Sequence, residues 1–118
     1  MALYYNLPVY KESYDLLILI YKQVAKVPRE YKHTLGERLK NAITDVLLSI
    51  FEGSKSKDSK KRESIDNALN CLEKCRLCIR IFADLDVWGV STQVVFNQKI
   101  ESISKQLTQW SNYVARVQ

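Results

Sequence analysis

The sequence has few of the residues that interrupt helices, with three glycines and two prolines among 118 residues. A chain of short strands joined by tight turns needs more of both, because they supply the backbone angles of turns. Their scarcity favours long helices. Apolar residues make up 47% of the chain, which is enough for one buried core and excludes a disordered chain.

Long apolar runs are also missing. The longest, Leu16 to Tyr21, is far shorter than the roughly 20 residues that a membrane-spanning helix needs. The first residues lack the charged segment and the long apolar segment of a secretory signal. We therefore expect a cytoplasmic protein with no membrane partner.

Patterns that carry catalysis are scarce. His33 is the only histidine, and no cysteine or acidic ligand set accompanies it. The chain has no glycine-rich phosphate loop, no metal-binding histidine spacing and no glycine-flanked nucleophilic serine. We predict a protein that is not an enzyme, with no catalytic residue, no metal and no cofactor.

Three cysteines, Cys71, Cys75 and Cys78, are spaced as C-x3-C-x2-C. This spacing occurs where three thiolates hold an iron–sulfur cluster. Here it lies within a helical stripe, where free cysteine acts as a small apolar side chain. Packing is the favoured interpretation and cluster binding the alternative.

Apolar residues recur at intervals of three and four along four stretches, which is the pattern of amphipathic helices. The predicted helices lie after Pro8, from Thr34 to Gly53, from Lys60 to Phe82, and from Ser91 or Thr92 onward. Gly53 is the predicted C-terminal cap of the second helix. Short links between long helices predict an all-α fold, an antiparallel up-down four-helix bundle, as a single domain over residues 1–118.

Each predicted helix has one stripe assigned to the core. In the first helix the stripe is Tyr10, Tyr14, Leu17, Tyr21 and Val24. In the second it is Leu35, Leu39, Ala42, Ile43, Val46 and Ile50. In the third it is Ile65, Ala68, Leu72, Cys75, Ile79 and Phe82, and in the fourth it is Phe96, Ile100, Ile103, Leu107, Trp110, Val114 and Val117.

Among the apolar residues that lie off these stripes are Leu16, Leu19, Leu77 and Ile81. A helix that is apolar on most sides needs burial on more than one side, which a small bundle alone does not offer. These residues are therefore predicted to form an interface in a homo-oligomer. A wide core face with a few exposed leucines is the alternative.

A basic stretch, residues 53–62, separates the second and third predicted helices. It contains five basic residues against one acid, Asp58: Lys55, Lys57, Lys60, Lys61 and Arg62. Because the whole chain carries only +5, this cluster predicts an anionic partner, with nucleic acid as the first candidate. Weaker candidates for phosphate contacts are Arg29, Lys32, Lys74, Arg76 and Arg80. A solvated turn with no partner is the alternative.

Three segments in this order resemble a known family: residues 21–29, residues 53–56 and residues 110–117. They read Tyr-Lys-Gln-Val-Ala-Lys-Val-Pro-Arg, Gly-Ser-Lys-Ser and Trp-Ser-Asn-Tyr-Val-Ala-Arg-Val. With four helices around a basic stretch, the sequence resembles the four-helix-bundle proteins that include the 23S rRNA intervening-sequence proteins. It most resembles their branch in diversity-generating retroelements, the accessory variability determinants.

The resemblance implies a homopentamer shaped like a barrel, with a positively charged surface. It also implies association with a reverse transcriptase and with RNA or DNA during mutagenic retrohoming. Phe51-Glu52-Gly53 partly matches the Ala-Glu-Gly of the intervening-sequence branch. That branch, with a structural or RNA-binding role, is the alternative.

Overall fold

The computed structural model describes residues 4–117, and this part of the chain is helical with no strand. A 3-10 turn, Tyr4–Asn6, precedes helix α1, Pro8–Val24. A one-turn helix α2, Arg29–Lys32, leads into α3, Leu35–Lys55, which is followed by α4, Asp58–Asp84, and α5, Val90–Val117. The predicted all-α fold with four long helices is confirmed.

The four long helices form a ring around one core. Helix α1 packs against α3 and α5, and α4 packs against the same two helices. Contacts between α4 and α5 show an antiparallel pair, because Asp66 bonds to Ser111 whereas Arg76 pairs with Glu101. The described chain measures 46 × 22 × 21 Å, as expected for a bundle of helices of this length. No helix between residues 4 and 117 is long and apolar enough to cross a bilayer.

The stripes predicted for the last three long helices form most of the core. The fully buried aliphatic and aromatic side chains include Leu39, Ile43, Ile50, Ile65, Leu72, Ile79, Phe82, Phe96, Ile100 and Ile103. Their spacing of three and four residues keeps them on one face of each helix. Each contributes about 1.5–3 kcal/mol relative to an exposed position. Leu35 and Trp110 are only partly buried, and Val117 lies exposed at the end of α5.

Helix α1 is rotated relative to the prediction. Its buried residues are Val9, Ser13, Leu16, Ile20 and Val24. Of the predicted stripe only Val24 is buried, while Tyr14 and Tyr21 are exposed. The prediction failed because α1 is apolar on two faces, so spacing alone does not distinguish the inner face from the outer face.

This rotation also changes the predicted oligomer interface. Leu16 is fully buried in the core, so its assignment to an interface between subunits is wrong. Leu19 is half-buried and packs against the same core. Leu77 and Ile81 remain exposed on α4, at 59% and 37% of their surface. Only these last two retain a large apolar surface for another subunit.

The three cysteines lie in the core cluster, as the packing interpretation predicts. All three are free thiols, and burial is the main cause that raises the pKa of each. The raised pKa keeps them protonated at neutral pH. Because the thiolate is the nucleophile and the metal ligand, these cysteines are suited to packing.

Gly53 does not end its helix. Helix α3 continues to Lys55, and only Ser56 and Lys57 separate it from α4. The chain reverses within so few residues because Asp58 has a φ of 58°, a left-handed conformation that aspartate adopts more readily than most residues. Gly53 is instead a buried residue within α3, lying against α4 and α5.

Two glycines of α3 provide a paired test of this packing. A Cβ at position 36 would lie 2.7 Å from Val24 Cγ1 and 3.1 Å from the Tyr31 carbonyl oxygen. We expect Gly36→Ala to destabilise the protein by about 1–3 kcal/mol, because the corner between α1 and α3 must shift.

Gly53→Ala is the matched control for that substitution. Its Cβ would lie 3.4 Å from both Ile65 Cγ1 and Trp110 Cη2, which is ordinary contact. Alanine also favours the helix over glycine by about 1 kcal/mol. We expect stability equal to or above that of the wild type. Urea unfolding of both variants measures this, and a Gly36→Ala protein as stable as Gly53→Ala would contradict the packing described.

Candidate nucleic-acid-binding surface

The predicted basic stretch lies at the end of the bundle where α3 meets α4. Lys55 is the last residue of α3, Lys57 lies in the link, and Lys60 is in the first turn of α4. All three side chains are exposed, and none is in an ion pair with another described residue. We call Lys55, Lys57 and Lys60 the lysine cluster. It presents three free ammonium groups to an anionic ligand.

Lys61 points into the bundle, unlike its neighbours. Its Nζ donates a hydrogen bond of 2.5 Å to the Gly53 carbonyl oxygen and lies 5.5 Å from the centroid of the Trp110 ring. Burial lowers the pKa of Lys61. The last turn of a helix has carbonyl groups without intrahelical donors, so this lysine fastens α3 to α4 and α5. Its ammonium group is therefore engaged within the bundle, unlike those of the lysine cluster.

Acidic residues reduce the charge at this end of the bundle. Arg62 Nε lies 4.0 Å from Asp66 Oδ2, and Asp66 also accepts a 2.7 Å hydrogen bond from Ser111 Oγ. Between Glu52 and Asp66 the chain carries five cations and four acids. The groove between α3 and α4 is lined by Lys60 and Lys74 and by the acids Asp45, Glu52, Glu63 and Asp66. The excess of positive charge at this end is therefore small, and Lys60 of the lysine cluster shares the groove with these acids.

Arg76 is bound within the molecule. Its guanidinium makes hydrogen bonds of 3.2 and 3.4 Å to Glu73 and lies 2.8 Å from Glu101 Oε1 on α5. Burial disfavours its charged form, but the hydrogen bonds to both glutamates outweigh burial and raise the pKa of Arg76. Arg76 therefore ties α4 to α5. Arg80 is exposed and lies 3.9 Å from Asp84 on the same helix.

Two other candidates, Arg29 and Lys32, lie in α2 at the opposite end of the bundle. Two exposed cations, Lys22 and Lys26, precede them in sequence. Within residues 22–32 only one acid, Glu30, accompanies these four cations. Arg29 and Lys32 were predicted as candidates, but Lys22 and Lys26 were not, although all four cations are visible in the sequence. The ten predicted residues therefore do not form one surface.

No group of three or more histidine, cysteine, aspartate or glutamate residues within 4–117 is arranged to hold a metal ion. His33 is exposed at the end of α2.

Comparison with protein-family models gives no match, and comparison with curated proteins gives no significant match. Membership of the four-helix-bundle family therefore stays a prediction from residues 21–29, 53–56 and 110–117. The geometry described above is independent of that prediction.

The structural role of Lys61 can be tested against its neighbour Lys57. We expect Lys61→Gln to lower the free energy of unfolding by on the order of 1 kcal/mol, because the Gly53 carbonyl loses a charged donor. Lys57→Gln removes the same charge from an exposed position and should leave stability unchanged. Urea unfolding compares the two, and equal stabilities would contradict the role assigned to Lys61.

Proposed function

We propose that this protein is a non-enzymatic accessory protein that binds nucleic acid through the lysine cluster. The observation that supports this function best is the grouping of three exposed lysines, free of ion pairs with described residues, at one tip of the bundle. Exposed ammonium groups contact phosphates without reading bases. Binding through them alone is indifferent to sequence.

The biological setting in the proposal comes from the resemblance. It is an association with the reverse transcriptase of a diversity-generating retroelement during mutagenic retrohoming. The alternative is an intervening-sequence type of protein with a structural or RNA-binding role. A reverse transcriptase gene beside a template repeat and a variable repeat would favour the first, and a position inside a ribosomal RNA gene would favour the second.

We also propose that the protein forms a homo-oligomer, with five copies as the resemblance implies. Leu77 and Ile81 support this, because they lie one turn apart on α4 and Leu85 continues the exposed row. An oligomer repeats the lysine cluster on every subunit. Linked weak sites then raise avidity without any new contact.

Phosphate contacts by the lysine cluster can be tested through the salt dependence of binding. In a triple Lys55→Gln, Lys57→Gln and Lys60→Gln variant, the dependence of affinity on salt should become shallower. Each lost contact removes about 0.7–0.9 log units of affinity change per log unit of salt. Fluorescence anisotropy with a labelled single strand across a salt series measures the slope.

A control variant with the same loss of charge is Lys11→Gln, Lys99→Gln and Lys105→Gln. These three lysines are exposed and lie outside the lysine cluster. The control should keep the wild-type slope. If both variants show the same slope, binding depends on net charge alone and the lysine cluster is not the site.

The second prediction concerns assembly. Light scattering should give a mass several times the 13.7 kDa of one chain. A Leu77→Ser and Ile81→Ser variant should have a lower mass, because the interface loses apolar surface. Val90→Ser with Val94→Ser changes two other exposed apolar residues and should leave the mass unchanged. A wild-type protein that is monomeric at micromolar concentration would contradict the proposed oligomer.

A further inference from the structure

Tyrosines are concentrated along one face of the molecule, outside the lysine cluster. Five of the seven tyrosines lie within the first 21 residues. The rotation of α1 turns Tyr14 and Tyr21 to the surface, with 49% and 43% of each residue exposed. Tyr10 is half-buried beside them. Large rings left in water on one helix face are a candidate contact surface.

Four of the rings form a continuous row at the junction of α1 and α3. Ring centroids are 4.9 Å apart between Phe51 and Tyr4, 5.1 Å between Tyr4 and Tyr10, and 6.2 Å between Tyr10 and Tyr14. Tyr21 lies on the same face of α1 two turns after Tyr14, about 10 Å further along the helix. We call Tyr4, Tyr10, Tyr14, Tyr21 and Phe51 the tyrosine face.

A lysine ammonium group lies over a ring at each end of this row. Lys55 Nζ lies 4.5 Å from the centroid of Phe51, and Lys40 Nζ lies 5.2 Å from the centroid of Tyr21. Lys40 is paired with Glu37 at 2.9 Å, whereas Lys55 is in no ion pair with a described residue. Lys55 also belongs to the lysine cluster, so the tyrosine face is continuous with the proposed phosphate contacts.

We propose that the tyrosine face stacks unpaired bases, so that the protein binds a single strand more tightly than a duplex. Proteins that bind single strands combine cations along the backbone with aromatic rings on which bases stack. Bases inside a duplex have no free face for such rings. The inference rests on the proposed function, since the lysine cluster supplies the phosphate contacts that bring the strand to the rings.

The surface chemistry favours a single strand over a second copy of this chain. Base stacking uses the ring faces and leaves the tyrosine hydroxyl groups in water. A subunit interface would have to desolvate these hydroxyls together with Lys40 and Lys55. Burying the exposed aliphatic residues Leu77 and Ile81 of α4 in a subunit interface would desolvate no polar side-chain group.

The test compares a labelled single strand with the duplex of the same sequence. A Tyr14→Leu and Tyr21→Leu variant should bind the single strand at least about tenfold more weakly, because two stacking rings are lost. Its affinity for the duplex and its salt slope should not change, since no phosphate contact is removed. A Tyr14→Phe and Tyr21→Phe variant keeps both rings and should bind the single strand like the wild type.

A second control is a tyrosine-to-leucine substitution outside the tyrosine face. Tyr113 on α5 is 55% exposed and lies outside the tyrosine face, so Tyr113→Leu should leave binding unchanged. Circular dichroism and light scattering check the helicity and mass of each variant. In the unaltered protein, ultraviolet crosslinking to the single strand should place the modified residue at Tyr14 or Tyr21, which tests the face without any substitution.

The outcomes separate this inference from the proposed function. If the leucine variant binds the single strand normally while the Lys55, Lys57 and Lys60 variant does not, the tyrosine face is overturned and the phosphate contacts stand. If the leucine variant loses oligomer mass, the face is an interface between copies, which also overturns the inference. If the wild type binds neither strand form, the proposed function fails and the inference fails with it.

Discussion

The orientation of α1 about its own axis is the constraint on which the rest of the surface depends. One side of this helix is aliphatic and another carries tyrosines, and only one of the two sides can pack against the core. Burying Leu16 and Ile20 needs no hydrogen bond, whereas burying Tyr14 or Tyr21 would require a partner for each hydroxyl group. The aliphatic face of α1 is therefore the buried one, and the tyrosines face α3 and the solvent.

The last three long helices were predictable because each has a single aliphatic stripe. For α4 the spacing from Ile65 to Phe82 identifies the inner face, and the structure buries it. Helix α1 was not predictable in this way, because residues 16–20 are apolar without interruption. The choice between its two faces is made by packing against α3 and α5, which local periodicity does not contain.

The candidate site was also predicted only in part. The position of the basic stretch between two helices was predicted, but its charge was overestimated, because a linear window ignores acids one helical turn away. Glu63 and Asp66 enter the same surface once α4 is formed. Gly53 was predicted as a cap, yet α3 continues past it to Lys55, and the left-handed conformation at the start of α4 belongs to Asp58. Lys61 turns inward because the Gly53 carbonyl, in the last turn of α3, accepts a hydrogen bond from its ammonium group.

Lys55 belongs to the lysine cluster and also contacts the tyrosine face. It is the last residue of α3 because the helix continues past Gly53, and its Nζ lies over the ring of Phe51, a member of the tyrosine face one turn earlier in α3. Charge and stacking at this point act on different properties of binding. Phosphate contacts set the salt dependence and the rate of encounter, whereas ring stacking discriminates between paired and unpaired bases. A surface that combines them can therefore lack sequence preference and still select the form of the strand.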